Sequence, residues 1–253
     1  MPQTFVRYRH EGRVGCGRLD GHTISELSGN LFENPAPTGV TLQLADVTLV
    51  APVEPSKIIA VGRNYTSHLG ERPALAAPGL FAKFPNAIIG TGDAIVIPPG
   101  AEDVHYEGEM VIVIGRRARN VPRGEAALFV FGVTAGNDVS ERIWQKNDLQ
   151  WLRAKSSDTF APLGPAIVTG LDYNDLRVET RLNGEVRQSQ RTRDLIFDVD
   201  AIISYVTQFV TLLPGDLIFT GTPGTTQAMK PGDVVEVDVE GVGVLRNPVV
   251  AGT

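Results

Sequence analysis

One cysteine, Cys16, is all that this 253-residue chain contains. An intramolecular disulfide and a cysteine-based zinc cluster are therefore excluded. The phosphate-binding signatures are missing as well. There is no GxxxxGK(S/T) loop, and Gly15, Gly17 and Gly21 miss the GxGxxG spacing by one residue. No GxSxG elbow occurs, and His68-Leu69-Gly70-Glu71 starts like an inverted zinc-protease motif but ends on Arg72. Apolar runs are short: residues 110–114 fall far below the roughly 20 residues a membrane helix needs. The first 15 residues carry Arg7, Arg9, His10 and Arg13 with no apolar stretch of the signal-peptide kind. Positive charge is in deficit, 23 Lys+Arg against 29 Asp+Glu, for a net charge of −6. That balance disfavours a phosphate backbone as partner. What these absences leave is a soluble cytoplasmic protein with neither a membrane nor a nucleic acid as partner.

What is present looks globular. Hydrophobic residues make up 42% and charged residues 21%, which is ordinary usage. The 27 glycines and 17 prolines are spread along the chain, a punctuation that suits many short strands better than a helical bundle. Residues 1–53 read as a small β-rich domain, with strands at 4–9 and 13–19, loop chemistry at 30–39, and an entry into the next unit around Pro52 and Pro55. Residues 54–253 read as the main domain. Strands are expected at 58–61, 94–97, 107–114, 128–137, 166–169 and 177–182, the last leading into an Asn183-Gly184 hairpin turn. Helices are expected at 140–149 and, behind an Asp198 cap, at 199–213. The fold class is α+β, rich in β and mixed in sheet direction.

Chemistry concentrates in a few stretches. In His105-Tyr106-Glu107-Gly108-Glu109-Met110 the strand period of two sends Glu107 and Glu109 to one face. Two half-buried carboxylates repel unless a cation joins them, and an all-oxygen set suits Mg²⁺ or Mn²⁺ better than zinc. A solvent-facing pair of alternating glutamates accounts for the segment equally well. Asp138 ends an apolar strand before a helix, either as a plain N-cap or as the third acid of a metal site. His68 and Glu71 stand at i, i+3, the spacing of a surface pair or of a general base with its orienting carboxylate. Lys155 is followed by hydroxyls, and Phe219-Thr220-Gly221-Thr222-Pro223-Gly224 runs from a strand into a turn with free N–H groups.

Together these stretches resemble the fumarylacetoacetate hydrolase family. The resemblance rests on Val61-Gly62-Arg63-Asn64-Tyr65 with His68 and Glu71, Phe81-Ala82-Lys83, Tyr106-Glu107-Gly108-Glu109, Asn137-Asp138-Val139-Ser140 with Gln145, Ala154-Lys155-Ser156 with Asp158, and Gly221-Thr222-Pro223. It implies a mixed β-roll catalytic domain in a homodimer with one divalent metal, Mg²⁺ or Mn²⁺, per subunit. It assigns Glu107, Glu109 and Asp138 as metal ligands, Lys155 to oxyanion charge, and His68 with Glu71 to a lid that closes over substrate. Gln145 and Thr222 match substrate-contacting positions, and Arg63, Tyr65 and Lys83 are further site candidates. The stretch Thr222-Pro223-Gly224-Thr225-Thr226 departs from the family's usual pattern after the proline. The implied substrates are 2-oxo or 2-hydroxydienoic acids, whose carboxylate and carbonyl a metal chelates and polarises. Residues 146–151 suggest the subgroup that isomerises 2-hydroxyhepta-2,4-diene-1,7-dioate in aromatic catabolism. Acylpyruvate or fumarylpyruvate hydrolysis, oxaloacetate decarboxylation and non-catalytic binding of α-keto acids are the alternatives.

Overall fold

The computed structural model describes residues 1–253. A long mixed sheet forms its spine, in the order Ala36–Gln43, Thr23–Ser28, Arg13–Asp20, Gln3–His10, Ala161–Thr169, Val130–Asn137, Gly108–Ile114, Leu217–Phe219, Ile58–Gly62 and Gly79–Lys83. Leu217–Phe219 runs parallel to Ile58–Gly62 and antiparallel to Gly108–Ile114. A second sheet is built from Glu185–Arg191, Arg177–Leu182, Val234–Val239, Gly243–Ala251 and Ile95–Ile97. The architecture is the β-rich mixed fold expected from the sequence.

Gly108–Ile114 lies at the centre of the fold, and all seven of its residues are buried. Met110, Ile112 and Ile114 join one core with Ile202, Ile203 and Val206 of the helix Val199–Thr207. Val111 and Val113 face the opposite core, among Ile58, Phe160, Leu217 and Phe219. A strand buried on both faces has no room for a charge without a purpose, and Glu109 sits in it. Glu109 pairs with Gly136 across the ladder. A Cβ at Gly136 would stand 2.5 Å from Val111 Cγ2 and 2.6 Å from the Phe219 ring, so glycine is what lets the three strands close beside the glutamate.

Several elements differ from the sequence reading. The strand expected at 166–169 begins earlier, at Ala161, and runs through Pro162 and Pro165. The helix expected at 140–149 covers only Arg142–Asn147, followed by a second short helix, Leu152–Ser156. The helix expected at 199–213 stops at Thr207. Phe209 and Leu213 carry on its apolar spacing but remain 64% and 39% exposed. The loop expected at 30–39 gives way to a strand from Ala36. No helix is long and apolar enough to cross a membrane.

Candidate functional site

The Gly108–Ile114 ladder with Val130–Asn137 ends with Gly108 opposite Asn137. The residues flanking this pair, Glu107 and Asp138, therefore meet. Asp138 N donates to the Glu107 carbonyl at 2.8 Å, and Asn137 Oδ1 accepts from Glu107 N at 2.8 Å. The carboxylates of Glu107, Glu109 and Asp138 lie within 4.8 Å of one another, all three buried. Asp138 is not a helix cap. Glu141 fills that role, accepting from Trp144 N where the helix starts.

Three cations reach this acid cluster. Lys155 Nζ lies 2.8 Å from Glu107 Oε2 and 2.7 Å from Asp138 Oδ2. Lys83 Nζ lies 2.6 Å from Asp138 Oδ1 and also donates to the Lys155 carbonyl. Arg142 Nη2 lies 2.5 Å from Glu107 Oε1. Burial works against the charge on Glu107, but Arg142 and Lys155 outweigh it and hold the carboxyl well below its usual range. Glu109 shows the reverse. Burial, then the charges of Asp138 and Glu107, drive it well above the carboxylate range, and the Gly221 N–H at 2.7 Å does not compensate. Burial lowers Lys83 despite its partner Asp138, whereas on Lys155 the pull of Asp138 and Glu107 overcomes burial. Three converging carboxylates, one of them short of positive charge, form an oxygen-only donor set that a hard divalent cation fits.

The cluster forms the floor of a cavity of about 450 Å³. Arg63, His68, Gln145, Lys155 and Thr222 line it, so the structure brings these sequence candidates together with the acid trio. Lys83 and Tyr65 are buried without lining it. Lys83 stands behind Asp138, and burial with the nearby charge of Glu109 pushes the Tyr65 phenol up. His68 Nδ1 is 2.6 Å from the Gly224 carbonyl, and its Nε2 faces Glu107 Oε1 at 3.9 Å. Glu71 does not join it. The helix is only Thr66–Leu69, Gly70 bends the chain at φ 60°, and Glu71 is exposed beyond the bend.

Other residues in or beside the cavity were given no role of their own by the sequence. Arg142 ties Glu107, Gln145 Oε1 (2.9 Å) and Thr226 Oγ1 (2.8 Å) together. Phe81 and Trp151 make the apolar wall, edge to face at 5.4 Å, with Lys155 Nζ 4.9 Å from the Phe81 centroid. Gln188, buried on the second sheet, donates to Thr222 Oγ1 at 2.8 Å and so fixes the glycine-flanked turn. The arginine directly after a helix-capping acid, and a hydroxyl in a loop already rich in threonine, offer little in sequence to mark them.

Comparison with known proteins agrees with this geometry. A model described as fumarylacetoacetate (FAA) hydrolase C-terminal matches residues 57–250, and one described as Rv2993c-like, N-terminal matches residues 4–52. A mitochondrial oxaloacetate tautomerase of Bos taurus is 43% identical, over 99% of this chain and 81% of the bovine protein. The crystal structure of 2-hydroxyhepta-2,4-diene-1,7-dioate isomerase from Mycobacterium marinum superposes with a TM-score of 0.92 at 42% identity, covering 98% of both chains. Maleylpyruvate hydrolase from Sphingobium sp. SYK-6, solved with manganese(II) and pyruvate, gives a TM-score of 0.83 at 30% identity, over 99% of this chain and all of that one. With a family match over most of its length and relatives above 40% identity along nearly all of it, this chain belongs to the fumarylacetoacetate hydrolase family.

Proposed function

We propose that the protein is a divalent-cation-dependent enzyme of the cytoplasm that moves a proton on a 2-oxo or 2-hydroxydienoic dicarboxylic acid. The first reaction to test is isomerisation of 2-hydroxyhepta-2,4-diene-1,7-dioate in aromatic catabolism, the activity for which the M. marinum relative is named. The observation that carries the proposal is the placing of one imidazole edge beside the acid trio. The Gly224 carbonyl at 2.6 Å takes the Nδ1 hydrogen of His68, leaving a basic Nε2 towards the cavity. Glu107, Glu109 and Asp138 hold the cation, Mg²⁺ or Mn²⁺. When bound, it supplies Lewis-acid polarisation of a 2-oxo acid's carbonyl.

The chain's own residues do the rest. For the 2-hydroxydienoate, His68 Nε2 takes the proton of the 2-hydroxyl and delivers it to C5, which leaves the 2-oxo-3-ene. Lys155, kept charged by its two carboxylates, balances the negative charge that develops on the substrate oxygen. Arg63 and Arg72, which line the cavity, take the distal carboxylate in this reading, and Gln145 and Thr222 the near one. Residues 70–79 close over the bound substrate and bring Glu71 towards the imidazole. Phe81 and Trp151 keep water from the reacting carbon.

Proton exchange on oxaloacetate is the second reading, favoured by the tautomerase relative that spans nearly the whole chain. Spectrophotometric assays with Mg²⁺ or Mn²⁺ on both substrates and on an acylpyruvate decide between them. Turnover of the heptadienedioate supports the first choice, and enol–keto conversion of oxaloacetate alone selects the second. Cleavage of the acylpyruvate with neither isomerisation would refute a proton-shuttling enzyme and assign a C–C hydrolase. Tight oxalate binding without turnover of any of the three would leave a binding protein.

A further inference from the structure

From Arg142 and Thr226 in the cavity lining, a row of hydrogen-bonded groups that the proposed reaction leaves unused runs back to His105 and Asp103. Asp103 Oδ1 is 2.8 Å from His105 Nε2, and His105 Nδ1 is 2.8 Å from Thr226 Oγ1. Thr226 Oγ1 is 2.8 Å from Arg142 Nη2, the nitrogen that also reaches Glu107 Oε1 at 2.5 Å. A guanidinium only donates. The Thr226 oxygen therefore accepts from Arg142. The Asp103 carboxylate only accepts, so it takes the hydrogen on His105 Nε2, and in the neutral ring Nδ1 then accepts from the Thr226 hydroxyl. Each link sets the direction of the next.

The backbone braces both ends of this row. Val104–His105 pairs antiparallel with Ser140–Glu141, His105 opposite Ser140, and Arg142 follows directly. Arg142 N donates to the Asp103 carbonyl at 2.9 Å, and Met229 N to the Val104 carbonyl at 2.7 Å. The loop carrying Thr226 and the helix opened by Arg142 are thus docked on the same short ribbon.

We propose that Asp103, His105 and Thr226 are positioning residues that hold the Arg142 guanidinium against the cavity. Apart from Thr226, its side chain has only Glu107 and Gln145 as partners. Glu107 is one of the proposed cation ligands, and a cation there draws on the charge that otherwise fixes Arg142. The Thr226 hydroxyl does not compete with the cation, so it keeps the guanidinium fork aimed at an incoming carboxylate. Only the naming of that carboxylate rests on the proposed function; the anchoring does not.

The test uses the full-length protein and nuclear magnetic resonance of arginine side chains, with the Arg142 signal assigned by its loss in Arg142→Lys. In the ligand-free protein, Thr226→Val should broaden that signal through exchange with water, while Thr226→Ser keeps it. His105→Phe should act in the same direction as Thr226→Val. With Mn²⁺ present, Thr226→Val should bind oxalate about tenfold more weakly by isothermal titration, the scale of one hydrogen bond to a charged group. Its Mn²⁺ affinity should be unchanged, and Thr226→Ser should restore oxalate binding. An Arg142 signal in Thr226→Val identical to wild type overturns the proposal. If the signal responds as expected but the wild-type protein with Mn²⁺ does not bind oxalate, the anchoring stands and the functional reading falls.

Discussion

Glu109 is the side chain whose environment makes least sense without a partner from outside the chain. It is buried in a two-sided hydrophobic strand, and its surroundings oppose its own charge. Glu109→Ala removes a ligand and relieves that conflict, so it is expected to abolish Mn²⁺ binding while thermal stability of the metal-free protein is kept or raised. Titration calorimetry and a melting curve read the two effects separately, and wild-type Mn²⁺ affinity in the variant would refute the ligand assignment. His68 is expected to behave differently. Losing a positioned general base costs about 10²–10⁴-fold in rate, so His68→Ala should lose kcat on that scale and keep its Mn²⁺ affinity. Glu71→Gln should lose less, in the same direction. A wild-type kcat and pH profile in His68→Ala would leave Lys155 and the cation to carry the chemistry. Period-two spacing and a strand end are local signals that made the acid trio a candidate in sequence. They left a solvent-facing pair and a plain N-cap equally open, and only the family resemblance joined the three. Arg142, His105 and Thr226 were not legible, because the contacts that join them to one another and to Glu107 span 35 to 121 positions, beyond the reach of any local pattern. The His68–Glu71 spacing suggested a helical pair, but one glycine at 70 ends the helix before the pair can form.

At the level of single elements, alternation of buried and exposed residues decided what could be read. Gly108–Ile114 and the start of the helix Val199–Thr207 announce themselves through their apolar pattern. Ala36–Gln43 does not, since nearly every residue in it is exposed and no alternation is left to see. The strand Gln3–His10 offers a stability test of its own. Burial, with the charge and hydrogen bond of Glu26 at 3.2 Å, raises the Tyr8 phenol from 10.0 to about 12. Below pH 10 the group is protonated in both the folded and the unfolded chain. Between pH 10 and about 12 only the unfolded chain releases the proton, so the stability tied to Tyr8 is lost as pH rises through that window. Tyr8→Phe has no such proton. Urea midpoints at pH 9 and 11 should fall more steeply for wild type than for the variant, and parallel falls would contradict the burial of Tyr8.

For the whole molecule, the surface beside the cavity argues for self-association. Phe84, Leu149 and Leu152 are 49%, 93% and 52% exposed on neighbouring segments, more apolar surface than isolated side chains leave on a typical monomer. A closed symmetric dimer is the simplest assembly that covers such a face. Light scattering at micromolar concentration is expected to give twice 27.2 kDa, and a monomer mass there would contradict the homodimer. The order of strands in the long sheet also sets a clock on biosynthesis. Leu217–Phe219 lies between Ile58–Gly62 and Gly108–Ile114, and Thr220 closes onto Met110 from 110 residues away. At roughly 5–20 residues per second of translation, the ribosome needs on the order of ten seconds to deliver the missing strand after Met110 is made. During that wait Met110 to Ile114 have no neighbour on one side, and Glu109 lacks the Gly221 N–H that holds its carboxylate in the acid trio. Nascent chains arrested before residue 217 should therefore recruit chaperones and fail to retain Mn²⁺, whereas released full-length chains should retain it.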